Sequence, residues 1–93
     1  MHYRITTAAA PVQAEGTVAG RPFYFRARHE EWTFAVAEAT GVDPADVEAT
    51  EPGRGWVTSG RVAERGAASH LSAAAADAII QACAAAYIRA RAP

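Results

Sequence analysis

Two stretches near the middle of the chain alternate between apolar and polar side chains. They run from Phe23 to Arg28 and from Trp32 to Ala37, and both have the period of two that is typical of a half-buried β-strand. The apolar positions are Phe23, Phe25, Ala27, Trp32, Phe34 and Val36. A short polar turn, His29-Glu30-Glu31, lies between the two stretches. The pattern therefore predicts an antiparallel hairpin that buries one face.

Weaker strand patterns precede this hairpin. The stretch from Val12 to Ala19 predicts a strand that Gly20-Arg21 joins to the next strand, which opens at Pro22. Proline is acceptable there because the first residue of a strand need not donate to the ladder. These strands form a three-stranded meander, and the stretch from His2 to Thr7 is a candidate for a further strand.

The segment after the hairpin predicts a short helix and then another strand. The helix covers Asp43 to Glu48, where Asp43 is placed to cap it and Pro44 suits the first helical position. The stretch from Trp56 to Glu64 is a candidate strand. Gly60 interrupts its pattern, and we expect a β-bulge at that residue.

The last predicted element is a helix from about Ala73 to Ala90, with Ser72 as its N-terminal cap. One side of its helical wheel is apolar and consists of Ala76, Ile79, Ile80, Cys83 and Tyr87. The other side carries Asp77, Gln81 and Arg89. Ile88 lies on this polar side, where it is free to meet a partner.

The predicted fold class is α+β, in a single domain that covers residues 1–93. An antiparallel sheet, with a three-stranded meander plus one or two further strands, packs against the C-terminal helix, and the short helix lies between strands. A core of this size gives marginal stability, since chain entropy offsets most of the gain from burial. A homodimer interface would add to it.

The amino-acid composition bears on the source of the protein and on its cellular compartment. The chain has no lysine and no asparagine, and its nine basic residues are all arginine, a bias typical of a high-GC bacterium or one of its mobile elements. The start, Met1-His2-Tyr3-Arg4, lacks the apolar stretch of a signal peptide, and no apolar run is long enough to cross a membrane. The lone cysteine, Cys83, fits a reducing compartment. We expect a cytoplasmic protein that has no membrane partner.

Catalytic and metal-binding patterns are weak. His2, His29 and His70 are scattered, without the spacing of a zinc site. Cys83 lies on the apolar side of the last helix, where a thiol is inert, and the neighbours Ser69 and His70 do not by adjacency make a triad. We therefore expect that the protein is not an enzyme and binds no cofactor. The acidic segment described below is the one place where paired carboxylates could do chemistry.

The row formed by Tyr24, Arg26 and Arg28 is the first candidate binding site, because it projects from the sheet face opposite the core. An aromatic residue with arginines on an open sheet is one way to stack nucleic-acid bases. Tyrosine and arginine are equally the usual anchors of protein interfaces. The third interpretation is an exposed strand face whose arginines pair with acids such as Glu15 and Glu31.

The second candidate binding site is an acidic segment of the chain. From Glu38 to Glu51 the chain has five acids and no base, although its net charge is only −1. We take Asp43, Asp46, Glu48 and Glu51 as a patch that docks on a basic surface of a partner. The alternative is a solvated, capped short helix. The net charge does not favour direct binding of nucleic acid.

The stretch from Gly20 to Phe34, GRPFYFRARHEEWTF, resembles segments of small proteins from high-GC proteobacteria and their phages. In size, mixed fold and acidic patch the chain also resembles anti-CRISPR proteins as a class. That resemblance implies a protein that binds a CRISPR effector complex and blocks its access to target DNA. Our leading hypothesis is thus a non-enzymatic protein that binds a protein or nucleoprotein complex, and the alternative is a nucleic-acid-binding module.

Overall fold

The computed structural model describes residues 1–7, 12–62 and 72–91. Within these residues the chain forms five strands, one 3-10 turn and one α-helix. The strands are β1 (His2–Thr7), β2 (Val12–Val18), β3 (Arg21–Arg28), β4 (Glu31–Ala37) and β5 (Gly55–Arg61), the 3-10 turn is Pro44–Asp46, and the helix α1 is Ala73–Arg91. The predicted α+β class is confirmed, and both candidate strands outside the meander are present.

The sheet is an antiparallel meander in the order β1-β2-β3-β4-β5. Ala19 and Gly20 form the turn between β2 and β3, and both have positive φ angles, 51° and 76°. Positive φ at both turn residues matches the twist of a two-residue hairpin, so β3 begins at Arg21, one residue before the predicted start. The β3–β4 turn is one residue shorter than predicted, because Glu31 already pairs with Arg28.

The bulge expected at Gly60 is absent. β5 pairs with β4 in unbroken register, and Gly60 lies opposite Trp32. The indole ring covers this glycine so closely that a Cβ atom there would approach Trp32 Cε2 to 2.6 Å. Gly60 is therefore needed for the close approach of an aromatic side chain. The predicted end of this strand at Glu64 lies outside the described residues.

The core lies between one face of the sheet and α1. Phe23, Phe25, Phe34 and Val36 are buried on the sheet side, and the rings of Phe23 and Phe34 stack with centroids 4.8 Å apart. From α1 come Ala76, Ile80, Cys83, Ala84 and Tyr87, while Ile79 is half-buried. The predicted apolar side of the helix is confirmed, as is the cap, since Ala75 N donates to Ser72 Oγ at 3.1 Å. Ile88 is 53% exposed.

The opposite face of the sheet is partly covered, which the sequence pattern does not predict. The predicted short helix is a single 3-10 turn, and Asp43 Oδ1 caps it by accepting from Ala45 N at 2.9 Å. This turn and Val47 pack on β3 and β4, and Ala35 and Ala37 are buried on that side. Strand alternation places Ala35 on the face opposite the core, beside Tyr24. Its burial shows that β4 is covered on both faces near its C-terminal end.

Tyr87 ties the C-terminal part of α1 to the end of β4. Its hydroxyl donates to Glu38 Oε2 at 3.2 Å, and Arg21 Nη1 donates to the Glu38 carbonyl oxygen at 2.7 Å. The Tyr87 ring is fully buried beside Trp56, with centroids 5.3 Å apart, and the Arg91 guanidinium lies 5.5 Å from its centroid. Burial, and then the negative charge of Glu38, raise the pKa of Tyr87 above its usual value.

We expect Tyr87→Phe to lower the free energy of unfolding by about 0.5–1.5 kcal/mol at pH 7, because the hydrogen bond to Glu38 is lost while the ring still fills its site. The raised pKa adds a pH dependence. Stability from the neutral phenol is complete below the unfolded pKa of about 10 and declines as the pH rises further. Urea denaturation at pH 7 and pH 10.5 measures both effects. A variant that loses as much stability above pH 10 as the wild type would exclude Tyr87 as the source.

Candidate functional site

The row of Tyr24, Arg26 and Arg28 lies on the sheet face opposite α1, as predicted. Cross-strand pairing places Tyr24 opposite Ala35, Arg26 opposite Thr33 and Arg28 opposite Glu31. The Tyr24 hydroxyl donates to Gln13 Oε1 of β2 at 2.6 Å, which fixes the direction of the ring. Tyr24 is half-buried, whereas both arginines are exposed.

The four arginines of this face differ in their ion pairs. Arg4 pairs with Glu15 at 3.4 Å, and Arg61 pairs with Glu30 at 3.6 Å and with Glu31 at 3.9 Å. Within residues 1–7, 12–62 and 72–91, Arg26 and Arg28 form no ion pair. Glu31 lies directly opposite Arg28 and Glu15 directly opposite Tyr24 in the register, as the third interpretation expects. Among the described residues, however, the ion pairs of both acids are with arginines of other strands.

Most of the acidic segment lies on the same face as the arginine row, an arrangement that the sequence does not reveal. Glu48 and Arg26 line one cavity of about 280 Å³, whose floor includes Tyr24, Thr33 and Ala35. The 3-10 turn forms the wall of this cavity, with Asp43 as its N-terminal cap and Asp46 as its last residue. Opposite charges thus lie on two sides of one depression without an ion pair between them in the described part of the chain.

Two acids of the run lie elsewhere. Glu51 exchanges backbone hydrogen bonds with Gly55 at the outer edge of β5, and it does not line the cavity that Glu48 shares with Arg26. Glu38 accepts the hydrogen bond from Tyr87 beside the core. The acidic patch on the sheet face therefore consists of Asp43, Asp46 and Glu48.

Two further depressions extend the first one along this face. A trough of about 580 Å³ lies between β1 and the 3-10 turn, with His2, Arg4, Thr17, Pro22 and Asp43 among its lining residues. A smaller one of about 230 Å³ is lined by Arg26, Arg28, His29, Glu31 and Thr33. We call this surface, from β1 past the 3-10 turn to the β3–β4 turn, the polar face. Gln13 contributes to it although no local sequence pattern indicates this, because only the strand register brings Gln13 beside Tyr24 and Arg26.

The residues considered above for catalysis or metal binding gain little support from the structure. Cys83 lies on the buried side of α1, and this burial raises the pKa of its thiol to about 11, which disfavours the reactive thiolate. Within the described ranges, no three histidine, cysteine or carboxylate side chains are grouped so that they could hold a metal ion. Ser69 and His70 lie outside those ranges. The described helix is not long and apolar enough to cross a membrane.

Comparison of the chain with protein-family models, with curated proteins and with solved structures finds no significant match.

Proposed function

We propose that this protein is a non-enzymatic binding module that docks on a protein partner, or on the protein part of a nucleoprotein complex, through the polar face. One observation carries the proposal: two exposed arginines, which form no ion pair with any described residue, lie beside three exposed carboxylates on a single concave surface. Charges of both signs at fixed positions select a partner with the complementary pattern and speed its association.

The charge balance of the polar face favours protein over nucleic acid. In the described part of the chain its guanidinium groups are Arg4, Arg26, Arg28 and Arg61, and its carboxylates are Glu15, Glu31, Asp43, Asp46 and Glu48. A surface with at least as many carboxylates as guanidinium groups does not attract a uniform phosphate backbone, whose binding depends on neutralising many charges at once. A protein surface can present both signs.

The partner that we propose to test first is a bacterial CRISPR effector complex. The support is that the chain resembles anti-CRISPR proteins as a class in its size, its mixed fold and its acidic patch. Its charged face is suited to cover a charged groove on a larger complex. Such a protein acts by occupying the surface that target DNA needs, and this requires affinity without catalysis.

A pull-down with matched variants tests the proposal. The tagged wild-type chain should retain a partner that Arg26→Gln/Arg28→Gln loses, while Arg54→Gln/Arg89→Gln, which changes the net charge equally on exposed residues elsewhere, should retain it. The retained protein is identified by mass spectrometry and the binding is repeated with both purified proteins. Equal retention by both double variants would exclude the polar face as the docking surface.

The acidic patch has its own matched control. Asp46→Asn/Glu48→Gln should slow association with the identified partner at low salt and flatten its salt dependence, because the patch steers a basic surface. Glu51→Gln removes an acid of the same run from the edge of β5 and should leave the association rate unchanged. Stopped-flow association at several salt concentrations measures both variants.

We expect that the purified protein does not bind nucleic acid. The purified protein should give no salt-sensitive gel shift with mixed-sequence DNA or RNA near physiological salt, since the row of Tyr24, Arg26 and Arg28 lies among carboxylates. A shift that weakens steeply as salt rises, and that disappears in Arg26→Gln/Arg28→Gln, would instead establish the row as a nucleic-acid site.

A further inference from the structure

The pair Arg26 and Arg28 occupies alternate positions on the exposed side of β3, so the two side chains leave the sheet in the same direction. Alternate residues of a strand are about 6.7 Å apart, at a rise of 3.3–3.4 Å per residue. The cavity of about 230 Å³ opens between the two side chains, and Thr33, opposite Arg26, places a hydroxyl beside it. The pair thus presents two separate guanidinium groups at a fixed spacing.

The neighbouring acids do not satisfy this pair. Glu31 lies directly across from Arg28 but pairs with Arg61 at 3.9 Å, and Glu30 pairs with the same arginine at 3.6 Å. Glu15 pairs with Arg4. A guanidinium presents a planar fork of donors that binds a carboxylate through two hydrogen bonds. Within the described residues no carboxylate pairs with Arg26 or Arg28, so both retain this capacity for a group from a partner.

The spacing suits an extended peptide. Alternate side chains of a peptide in β conformation also lie on one side and about 6.7 Å apart, so acidic residues at positions i and i+2 match the two guanidinium groups. A nucleic-acid strand carries a negative charge on every nucleotide. Phosphates beyond the pair would face Glu48, which shares the larger cavity with Arg26, whereas a peptide can present a neutral or basic residue there.

We infer that Arg26 and Arg28 receive an acidic segment of the partner protein, with two carboxylates two residues apart in an extended conformation and a neutral or basic residue on the Glu48 side. The inference rests on the proposed function, since it names the chemistry of the partner at one end of the polar face. It also gives the docking an orientation, because the arginine end and the acidic end require opposite charges.

A peptide titration tests this directly. The probe is a fluorescein-labelled peptide with blocked ends and the sequence Lys-Thr-Glu-Thr-Glu-Thr-Lys, which has the same charge order in both chain directions. We expect saturable binding by fluorescence anisotropy at low salt, and shifts of the Arg26, Arg28 and Thr33 amide signals in NMR spectra. Replacing both glutamates of the peptide by glutamine should weaken binding about tenfold or more, because the charge-assisted pairs are lost.

Two protein variants and a second probe complete the test. Arg26→Gln/Arg28→Gln should weaken binding of the glutamate peptide about tenfold, and Arg54→Gln/Arg89→Gln should leave it within about twofold of the wild type. Circular dichroism checks that both variants are folded. A labelled thymidine decanucleotide that binds as tightly as the glutamate peptide would overturn the inference in favour of phosphate recognition. Absence of peptide binding, or equal binding of the glutamine peptide, would overturn it as well.

These failures are separable from failure of the proposed function. If the partner pull-down depends on Arg26 and Arg28 but the glutamate peptide does not bind, the polar face remains the docking surface and the acidic segment is excluded. If the pull-down is the same for all variants, the proposed function itself is excluded, whatever the peptide does.

Discussion

Phe25→Ala is expected to lower the free energy of unfolding by about 3–5 kcal/mol. Phe25 is fully buried at the centre of the sheet, opposite Phe34 on β4 and Ala14 on β2, and its ring lies 6.4 Å from that of Trp32. Alanine at this position leaves a cavity that the flanking strands cannot close. A domain of this size has a total stability of about 5–15 kcal/mol, so the variant should melt at a much lower temperature or fail to fold.

Tyr24→Ala is the matched control, because it truncates the neighbouring residue on the other face of the same strand. It removes the hydrogen bond to Gln13 Oε1 and a half-buried ring, so we expect a loss of only about 1–2 kcal/mol. Thermal and urea denaturation of both variants give the comparison. Equal losses would mean that the two faces of β3 contribute equally to stability, which contradicts the burial of the two side chains.

The sheet was predictable because its signals are local. Alternation along Phe23 to Arg28 identifies the buried side of a strand without knowledge of its neighbours, and the pattern around Ile80 does the same for α1. Ser72 could be identified as a cap for the same reason. The role of Gly60 could not be predicted, since a glycine in a strand pattern indicates a bulge and a close ring contact equally well, and only the cross-strand register brings Trp32 onto it.

The candidate site was predictable in its parts but not in its assembly. The row of Tyr24, Arg26 and Arg28 follows from strand alternation, and Asp43 follows from its capping position. That Glu48 lies across a cavity from Arg26 depends on the path of the segment between β4 and β5 over the polar face, which no local pattern encodes. The pairing of Glu15 and Glu31 with Arg4 and Arg61 likewise depends on the order of the strands.

Gly55→Ala tests how this segment is held on the sheet. A Cβ atom at Gly55 would lie 2.7 Å from Val47 Cγ1 and 2.9 Å from the Val36 carbonyl oxygen, both too close for a carbon atom. Val47 is buried, and its side chain holds the acidic segment against β4 and β5. Replacing glycine by alanine commonly stabilises a protein by about 0.4–1 kcal/mol where the backbone and the space allow it. Here we expect the opposite, a loss of about 1–3 kcal/mol, because the methyl group overfills a packed site.

A second substitution separates crowding from other causes. Val47→Ala removes the γ-methyl groups that the new Cβ would meet, so the double variant Gly55→Ala/Val47→Ala should be more stable than the sum of the two single losses predicts. The recovery should be partial, because the Val36 carbonyl oxygen belongs to the backbone and cannot move away. Additive losses in urea denaturation would show that Val47 and Gly55 are not coupled.

Since Val47 also fixes the positions of Asp46 and Glu48, Gly55→Ala should slow association with the partner although it leaves every charge in place. Association at the wild-type rate would mean that the acidic patch acts by its net charge alone, and its position above the sheet would then have no part in recognition.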